Sequence, residues 1–158
     1  MDPFSQDNIV AFATPPGKSA IAVLRLSGSN LNNVFFTITG KRAVEKQAMF
    51  SQIYSPSSNK LIDEVIAIYF KGPKSFTGED VIEISCHGSE PIKKTLYKYI
   101  LSLGFRKAEP GEFSLRAFLN GKMDLIKAEG IASLINAQTS SQAEASINHV
   151  SGKISNNI

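Results

Sequence analysis

The feature that most constrains the fold is a pair of strand-like segments in the middle of the chain. Residues 65–70 are apolar at every position, which predicts a central strand buried on both faces of a sheet. The next such segment, residues 81–86, alternates in polarity instead. Ile82 and Ile84 should therefore face one side of the sheet and Glu83 the other. A chain with two such strands has to build a sheet and cover at least one of its faces.

Helix-like patterns alternate with further strand-like runs over the first two thirds of the chain. Apolar residues recur at intervals of three and four between Ser29 and Gly40, which predicts a helix with a glycine at its end. The same pattern predicts a second helix between Ser89 and Gly104. Strand-like runs also occupy residues 9–13, 20–26 and 105–109. Strands interleaved with helices predict an α/β (α+β) fold, a mixed β-sheet with helices packed on it.

From about Glu112 the pattern is helical to the end of the sequence. A short helix is predicted over residues 113–119, and Asp124 can cap the next one. Ser141 and Glu144 form a capping box that should begin the last helix. The inner face of the middle helix of these three should comprise Leu125, Ala128, Ala132 and Ile135.

The apolar stripe of the last helix is still in phase at Ile158, the final residue. Two amphipathic helices on their own also leave an apolar face that needs a partner. We therefore expect a piece of a longer protein. A sheet domain should occupy residues 1–119, and residues 120–158 should be the first, truncated helices of a helical domain.

Composition excludes some function classes without selecting one. The net charge of +3 permits an anionic partner, but the basic residues are scattered, and we favour an ordinary solvated surface over a nucleic-acid face. The single cysteine, Cys86, rules out an internal disulfide and suggests a reducing compartment. The polar start of the chain is no signal peptide, and no apolar run approaches the roughly 20 residues that span a membrane. These features predict a cytoplasmic protein with no membrane partner.

Gly17-Lys18-Ser19 resembles the end of a phosphate-binding P-loop, but the rest of that motif is missing. Phe12 stands where the motif needs its first glycine. Pro15 and Pro16 also lack the backbone N–H groups that such a loop points at phosphates. The segment is therefore predicted to be a turn between two strands.

Cys86 and His87 are adjacent, yet neighbouring residues of a strand point to opposite faces and cannot easily form a nucleophile pair. We expect Cys86 to be an inert buried thiol. His87 is equally well explained as a ligand contact or as a turn residue. No catalytic residue and no metal site is predicted.

Glu83 and Arg25 are charged residues in otherwise apolar strands, and each needs a partner. One interpretation is an ion pair between them or with other charged groups, which we favour from the residues alone. The other is a planar ligand that offers two adjacent N–H donors to the carboxylate.

Three long segments, taken in order, resemble one family. They are residues 9–17 with 24–28, residues 70–81, and residues 110–125 continued by 128–135. Together they are similar to the amino-terminal part of the MnmE (TrmE) tRNA-modifying GTPases, from about residue 8 to the end of the chain.

This resemblance implies a folate-binding domain related to the aminomethyltransferase of the glycine cleavage system, followed by the start of a helical domain. It assigns cofactor contacts to Arg25, Glu83 and Lys122, with 5-formyltetrahydrofolate or another tetrahydrofolate derivative as the cofactor. GTP, Mg and K would bind a GTPase domain that lies outside this sequence.

The family further implies a homodimer that works with the flavoprotein MnmG on carbon 5 of the wobble uridine of certain tRNAs. Two other functions stay open on sequence grounds. One is a small folate-dependent one-carbon transferase in its own right, and the other is a tRNA-binding module.

Overall fold

The chain folds around one mixed sheet. The computed structural model describes residues 6–151, and within them six strands are arranged in the order β3-β4-β5-β2-β1-β6. Neighbouring strands are antiparallel except β1 and β6, which run parallel. The strands are β1 Ile9–Phe12, β2 Ser19–Gly28, β3 Met49–Tyr54, β4 Leu61–Phe70, β5 Asp80–Gly88 and β6 Arg106–Lys107.

Five helices accompany the sheet within residues 6–151. They are α1 Leu31–Thr39, α2 Glu90–Ser102, α3 Glu112–Leu119, α4 Leu125–Ile135 and α5 Ser140–Val150. Gly40 ends α1 in the left-handed conformation, with φ of 71°, as its position in the sequence predicts. The predicted cap of α4 is confirmed, because the Asp124 side chain accepts a hydrogen bond from the Lys127 N–H at 2.6 Å. The expected α+β fold with a mixed sheet is confirmed.

Helices α1 and α2 cover one face of the sheet and enclose the main core. Leu24, Leu26, Ile82 and Ile84 lie in this core, and Cys86 is buried beside them. The intervening residues of β2 and β5 therefore point to the opposite face. The prediction that Glu83 faces away from Ile82 and Ile84 is confirmed.

The prediction that residues 65–70 are buried on both faces is wrong. Val65, Ala67 and Tyr69 are buried, but Ile66 points to the opposite face and is 39% exposed. The physical reason is the place of β4 in the sheet. It is next to the edge strand β3, which no prediction from the sequence included, and on that part of the second face both Phe50 and Ile66 are exposed.

Helices α4 and α5 pack against each other. Leu125 and Ile135 of the predicted inner face of α4 are exposed, in line with an apolar face that still needs a partner, and the buried residue of α4 is Gly130. A Cβ on Gly130 would lie 2.6 Å from the Cβ of His149, so the absence of a side chain lets the two helices approach closely.

The last helix also begins earlier than predicted. The N-cap of α5 is Thr139, which accepts from the Gln142 N–H, in place of Ser141. The predicted stripe of α5 continues to Ile154 and Ile158, which lie outside the described residues. The proposed boundary between residues 119 and 120 stays a prediction.

Candidate functional site

The two charged residues of the central strands meet on the second face of the sheet. Arg25 on β2 and Glu83 on β5 are direct cross-strand partners. The Nε and Nη2 atoms of Arg25 lie 3.1 and 3.0 Å from the same carboxylate oxygen, Oε1 of Glu83. The ion pair that the sequence suggests is therefore present. Both side chains are about one quarter exposed, at 25% and 27%, so the pair remains accessible to a ligand.

The arrangement leaves part of the Glu83 carboxylate available. Among residues 6–151, no donor is bonded to Oε2 of Glu83, and Arg25 uses only Oε1. A carboxylate oxygen can accept more than one hydrogen bond. The site can therefore accept two parallel N–H groups from a flat ligand while the ion pair stays intact.

Two aromatic rings frame the guanidinium group of Arg25. Its central carbon lies 5.1 Å from the ring centroid of Phe76 and 6.0 Å from that of Phe113. Phe76 comes from the loop between β4 and β5, and Phe113 from α3. Cation–π contacts of this kind favour the charged side chain and orient it. Sequence reasoning missed both rings, because their meeting with Arg25 depends on how a loop and a helix fold over the sheet.

The loop over residues 71–79 is fixed to the sheet by polar contacts that are buried or part-buried. Ser27 on β2 bonds to Thr77 at 2.7 Å and to Glu79 at 2.8 Å. Asp80 accepts from the Gly72 N–H and from the hydroxyl of Tyr69, each at 3.0 Å. Burial together with this bond raises the pKa of Tyr69 to about 12. The loop that carries Phe76 is thus held at several points.

A chain of ion pairs ties the same loop to α3. Arg116 on α3 bonds to Glu79 at 2.9 Å and to Glu112 at 3.1 Å. Glu112 also accepts two hydrogen bonds from Arg106, at 2.9 and 2.7 Å. Glu112 is only 2% exposed. The hydrogen bonds from Arg106 lower the pKa of Glu112 to about 2, and the same contact raises the pKa of Arg106.

Lys122, the third predicted contact, lies on the loop side of the site. Its backbone N–H donates a hydrogen bond to the Ala117 carbonyl at 2.8 Å, and its side chain lies next to Gly78. Asn120 donates to the carbonyl of Thr77 at 2.7 Å, which joins this segment to the loop. Within residues 6–151, the structure brings Arg25 and Glu83 into contact but shows no contact between them and Lys122. The binding role of all three residues stays a prediction.

A second polar pair lies at the end of β5. His87 donates its backbone N–H to Asp63, and its Nδ1 lies 2.8 Å from the same carboxylate. Asp63 is buried, whereas His87 is exposed. Cys86 points into the core, and burial raises the pKa of its thiol to about 11. The structure therefore agrees with an inert thiol and gives His87 a structural partner.

Comparison with known proteins decides the family. The model of the family described as "GTP-binding protein TrmE N-terminus" matches residues 8–122, which include the Arg25–Glu83 pair, the 71–79 loop and Lys122. The chain belongs to the TrmE amino-terminal family. The resemblance indicated by the sequence motifs is confirmed.

Full-length relatives give the same answer over the whole chain. It is 44% identical over 155 residues to the tRNA modification GTPase MnmE of Legionella pneumophila (strain Corby). The proteins of that name from Fervidobacterium nodosum and Flavobacterium johnsoniae are 41% and 43% identical over 162 and 159 residues. These alignments cover 98%, 99% and 98% of this chain but 34%, 35% and 34% of the relatives. The chain thus spans about a third of the length of the curated relatives that it matches.

Two further properties of the molecule bear on its possible ligands. Within residues 6–151, no helix is both long and apolar enough to cross a membrane. The same residues hold no group of three or more His, Cys, Asp or Glu side chains placed to bind a metal ion.

Proposed function

We propose that this chain binds a reduced folate at the Arg25–Glu83 pair. The observation that carries the proposal is the Glu83 carboxylate, which is partly exposed, engaged by Arg25 through one oxygen, and open at the other. A pterin ring presents an amino group beside a ring N–H, and a carboxylate accepts such a pair of donors side by side. The donor and acceptor groups of the site fit this cofactor.

The surroundings of the pair suit the rest of such a ligand. Phe76 and Phe113 provide flat apolar surfaces next to Arg25. The cations Arg25 and Lys122 can serve the carbonyl or carboxylate groups of 5-formyltetrahydrofolate or a related species. Bound there, the folate would supply a one-carbon unit. The protein residues would hold and orient it, and we assign no catalytic residue to this chain.

At the level of the whole protein, we propose the role of the amino-terminal part of a tRNA modification GTPase. The sheet domain would descend from the same folate-binding fold as glycine-cleavage aminomethyltransferase. GTP, Mg and K would act in a separate domain. The complete protein, as a homodimer in the cytoplasm, would work with MnmG on the wobble uridine of tRNA.

Isothermal titration calorimetry with 5-formyltetrahydrofolate tests the folate site. Glu83→Gln keeps the shape of the side chain but replaces one acceptor oxygen with an NH₂ group. This change should weaken binding by about 1–3 kcal/mol, the range for losing a hydrogen bond to a charged group. Glu64→Gln is the matched control, because Glu64 is an exposed carboxylate on the neighbouring strand β4.

Three outcomes can be told apart. Weaker binding by Glu83→Gln and unchanged binding by Glu64→Gln would support the site. Equal affinity of wild type and Glu83→Gln would refute the assigned role of Glu83. An absence of binding by the wild-type chain, under conditions where it is folded, would refute the folate proposal as a whole.

The proposed dimer would use the open half of the second sheet face. Phe50 on β3, Ile66 on β4 and Ser85 on β5 lie side by side in the sheet register, and Val23 on β2 is next to Ser85. Phe50 and Ile66 are both exposed. This strip is apolar except at Ser85, and its exposed side chains favour burial against a partner, for which two-fold dimers are the commonest solution.

Two single substitutions separate this surface from the exposed apolar residues of the helical pair. Ile66→Arg places a charge in the middle of the strip, whereas Ile135→Arg places one on α4. Sedimentation equilibrium should give a dimer for wild type and Ile135→Arg, and a monomer for Ile66→Arg. If Ile135→Arg is the monomer instead, the helices hold the subunits together and the proposed interface is wrong.

A further inference from the structure

A groove lies at the opposite face of the sheet from the Arg25–Glu83 pair. It runs between the β1–β2 turn and helix α2, has a volume of about 950 Å³, and is called here the Phe12–Tyr97 groove. Phe12 pairs with Leu24 in the sheet, and Leu24 points into the core beneath α2. Arg25, the next residue of β2, points away. None of the three proposed folate contacts lines this groove.

The walls of the groove are flat and apolar. The rings of Phe12 and Tyr97 are stacked, with centroids 6.2 Å apart and planes inclined by 26°. Pro15, Pro16 and Pro91 complete the apolar surface. Both rings are half-buried, so each presents part of its surface to the groove. Surfaces of this kind bind planar rings, and nucleobases stack on them with little regard to sequence.

The charge of the groove is positive. Three lysines line it, against one carboxylate, that of Glu90. Lys93 is only 7% exposed. Its Nζ donates a hydrogen bond to the Gly17 carbonyl at 2.8 Å and forms an ion pair with Glu90 at 2.8 Å. The same atom lies 5.7 Å from the ring centroid of Phe12. Lys93 therefore connects the β1–β2 turn to helix α2 at the wall of the groove. Lys94 and Lys107 are exposed, and their charges are not offset by an ion pair within residues 6–151.

Another carboxylate lies close by. Glu109 lines a smaller adjoining cavity together with Lys107 and Phe12. The nearby carboxylates are thus Glu90, which already pairs with Lys93, and Glu109, which lies outside the main groove. The ligand that fits has flat rings for the aromatic wall and an anionic backbone for Lys94 and Lys107.

We propose that the Phe12–Tyr97 groove binds a short stretch of single-stranded RNA, with a base against the aromatic wall and phosphates at Lys94 and Lys107. Such a site combines stacking with a basic track along the backbone. The proposal goes beyond the function proposed above, because it gives this chain its own RNA contact. It does not depend on folate binding, and either proposal can fail without the other.

Fluorescence anisotropy with the whole chain and fluorescein-labelled octauridylate tests the proposal at several salt concentrations. Lys94→Gln combined with Lys107→Gln should reduce the slope of log affinity against log salt by about 1.4, or about 0.7 for each phosphate that a lysine no longer neutralises. Lys60→Gln, in the β3–β4 turn, is the matched control and should leave the slope unchanged.

A second pair of variants tests stacking. Tyr97→Leu should weaken RNA binding by about 5-fold or more, the lower end of the range for loss of one stacked base. Tyr99→Leu changes a tyrosine of the same helix that does not line the groove, and should have no effect. An abasic oligomer of equal length should bind wild type and Tyr97→Leu equally. Melting curves show whether each variant is folded. If Tyr97→Leu is unfolded, the salt dependence of the lysine variants tests the proposal instead.

Three results would overturn the proposal. The first is no measurable binding of octauridylate by the folded wild-type chain at about 50 mM salt, where phosphate contacts are strong. The second is an unchanged salt slope in the double lysine variant. The third is equal binding of octauridylate and an octaglutamate peptide, which would reduce the groove to a general site for polyanions.

Discussion

Acid should destabilise the fold through Glu112, whose position allows the effect to be calculated. In the folded chain its carboxylate is buried between Arg106 and Arg116, and its pKa is lowered from 4.5 to about 2. Because the pKa of Glu112 is lower in the folded state than in the unfolded state, its ionised carboxylate stabilises the fold at pH values above the unfolded-state pKa. This stabilisation is lost as the pH falls through the folded-state pKa. The difference of about 2.5 units corresponds to at most about 3 kcal/mol, of which about 2 kcal/mol should be lost by pH 3.

The assay is urea unfolding of wild type and Glu112→Gln between pH 6 and pH 3. At pH 6 the variant should be less stable by about 3 kcal/mol, the stabilisation that the ionised carboxylate contributes at that pH, while Arg106 keeps Asp7 and Arg116 keeps Glu79 as partners. The difference should shrink by about 2 kcal/mol at pH 3, where the wild-type carboxylate is mostly protonated in the unfolded state.

Glu64→Gln serves as the control, and its difference from wild type should stay nearly constant, because Glu64 is exposed. The reasoning is refuted if the stability difference between wild type and Glu112→Gln is the same at pH 6 and pH 3. The same network anchors the loop that carries Phe76, so acid should also loosen the frame around Arg25.

Two further predictions concern the core and the helical pair. With its pKa raised to about 11, Cys86 should react with iodoacetamide about 100-fold more slowly in the native chain than in urea at pH 8, and equal rates would contradict its burial. Gly130→Ala should destabilise the contact of α4 with α5 by roughly 1–3 kcal/mol, because the added Cβ would meet His149. Hydrogen exchange of the α4 and α5 amides measures this effect. Protection equal to that of Ser133→Ala, an exposed control on α4, would refute it.

Local signals in the sequence were enough to predict most elements. Gly40 and Asp124 mark helix ends because a left-handed glycine and a side-chain cap act within a few residues of the chain. The opposite orientation of Ile82 and Glu83 follows from strand geometry alone. An ion pair between Arg25 and Glu83 could also be suggested, because each is a charged residue in an apolar strand and needs a partner.

What the sequence did not predict depends on contacts between distant segments. The exposure of Ile66 depends on β4 lying next to the edge strand, and strand order is not encoded in the polarity of one strand. The burial of Gly130 reflects the close approach of α4 and α5, which a periodic apolar pattern does not indicate. The Phe12–Tyr97 groove combines residues that are 85 positions apart in the numbering, so no local motif could indicate it.

The most direct test of the folate site is a crystal structure of the chain with 5-formyltetrahydrofolate. We expect the amino group and the adjacent ring N–H of the pterin to lie within hydrogen-bond distance, about 2.7–3.2 Å, of the Glu83 carboxylate, with Arg25 still bonded to Oε1. A folate whose pterin lies elsewhere, for example against Phe12 and Tyr97, would contradict the proposed site even if binding in solution were tight.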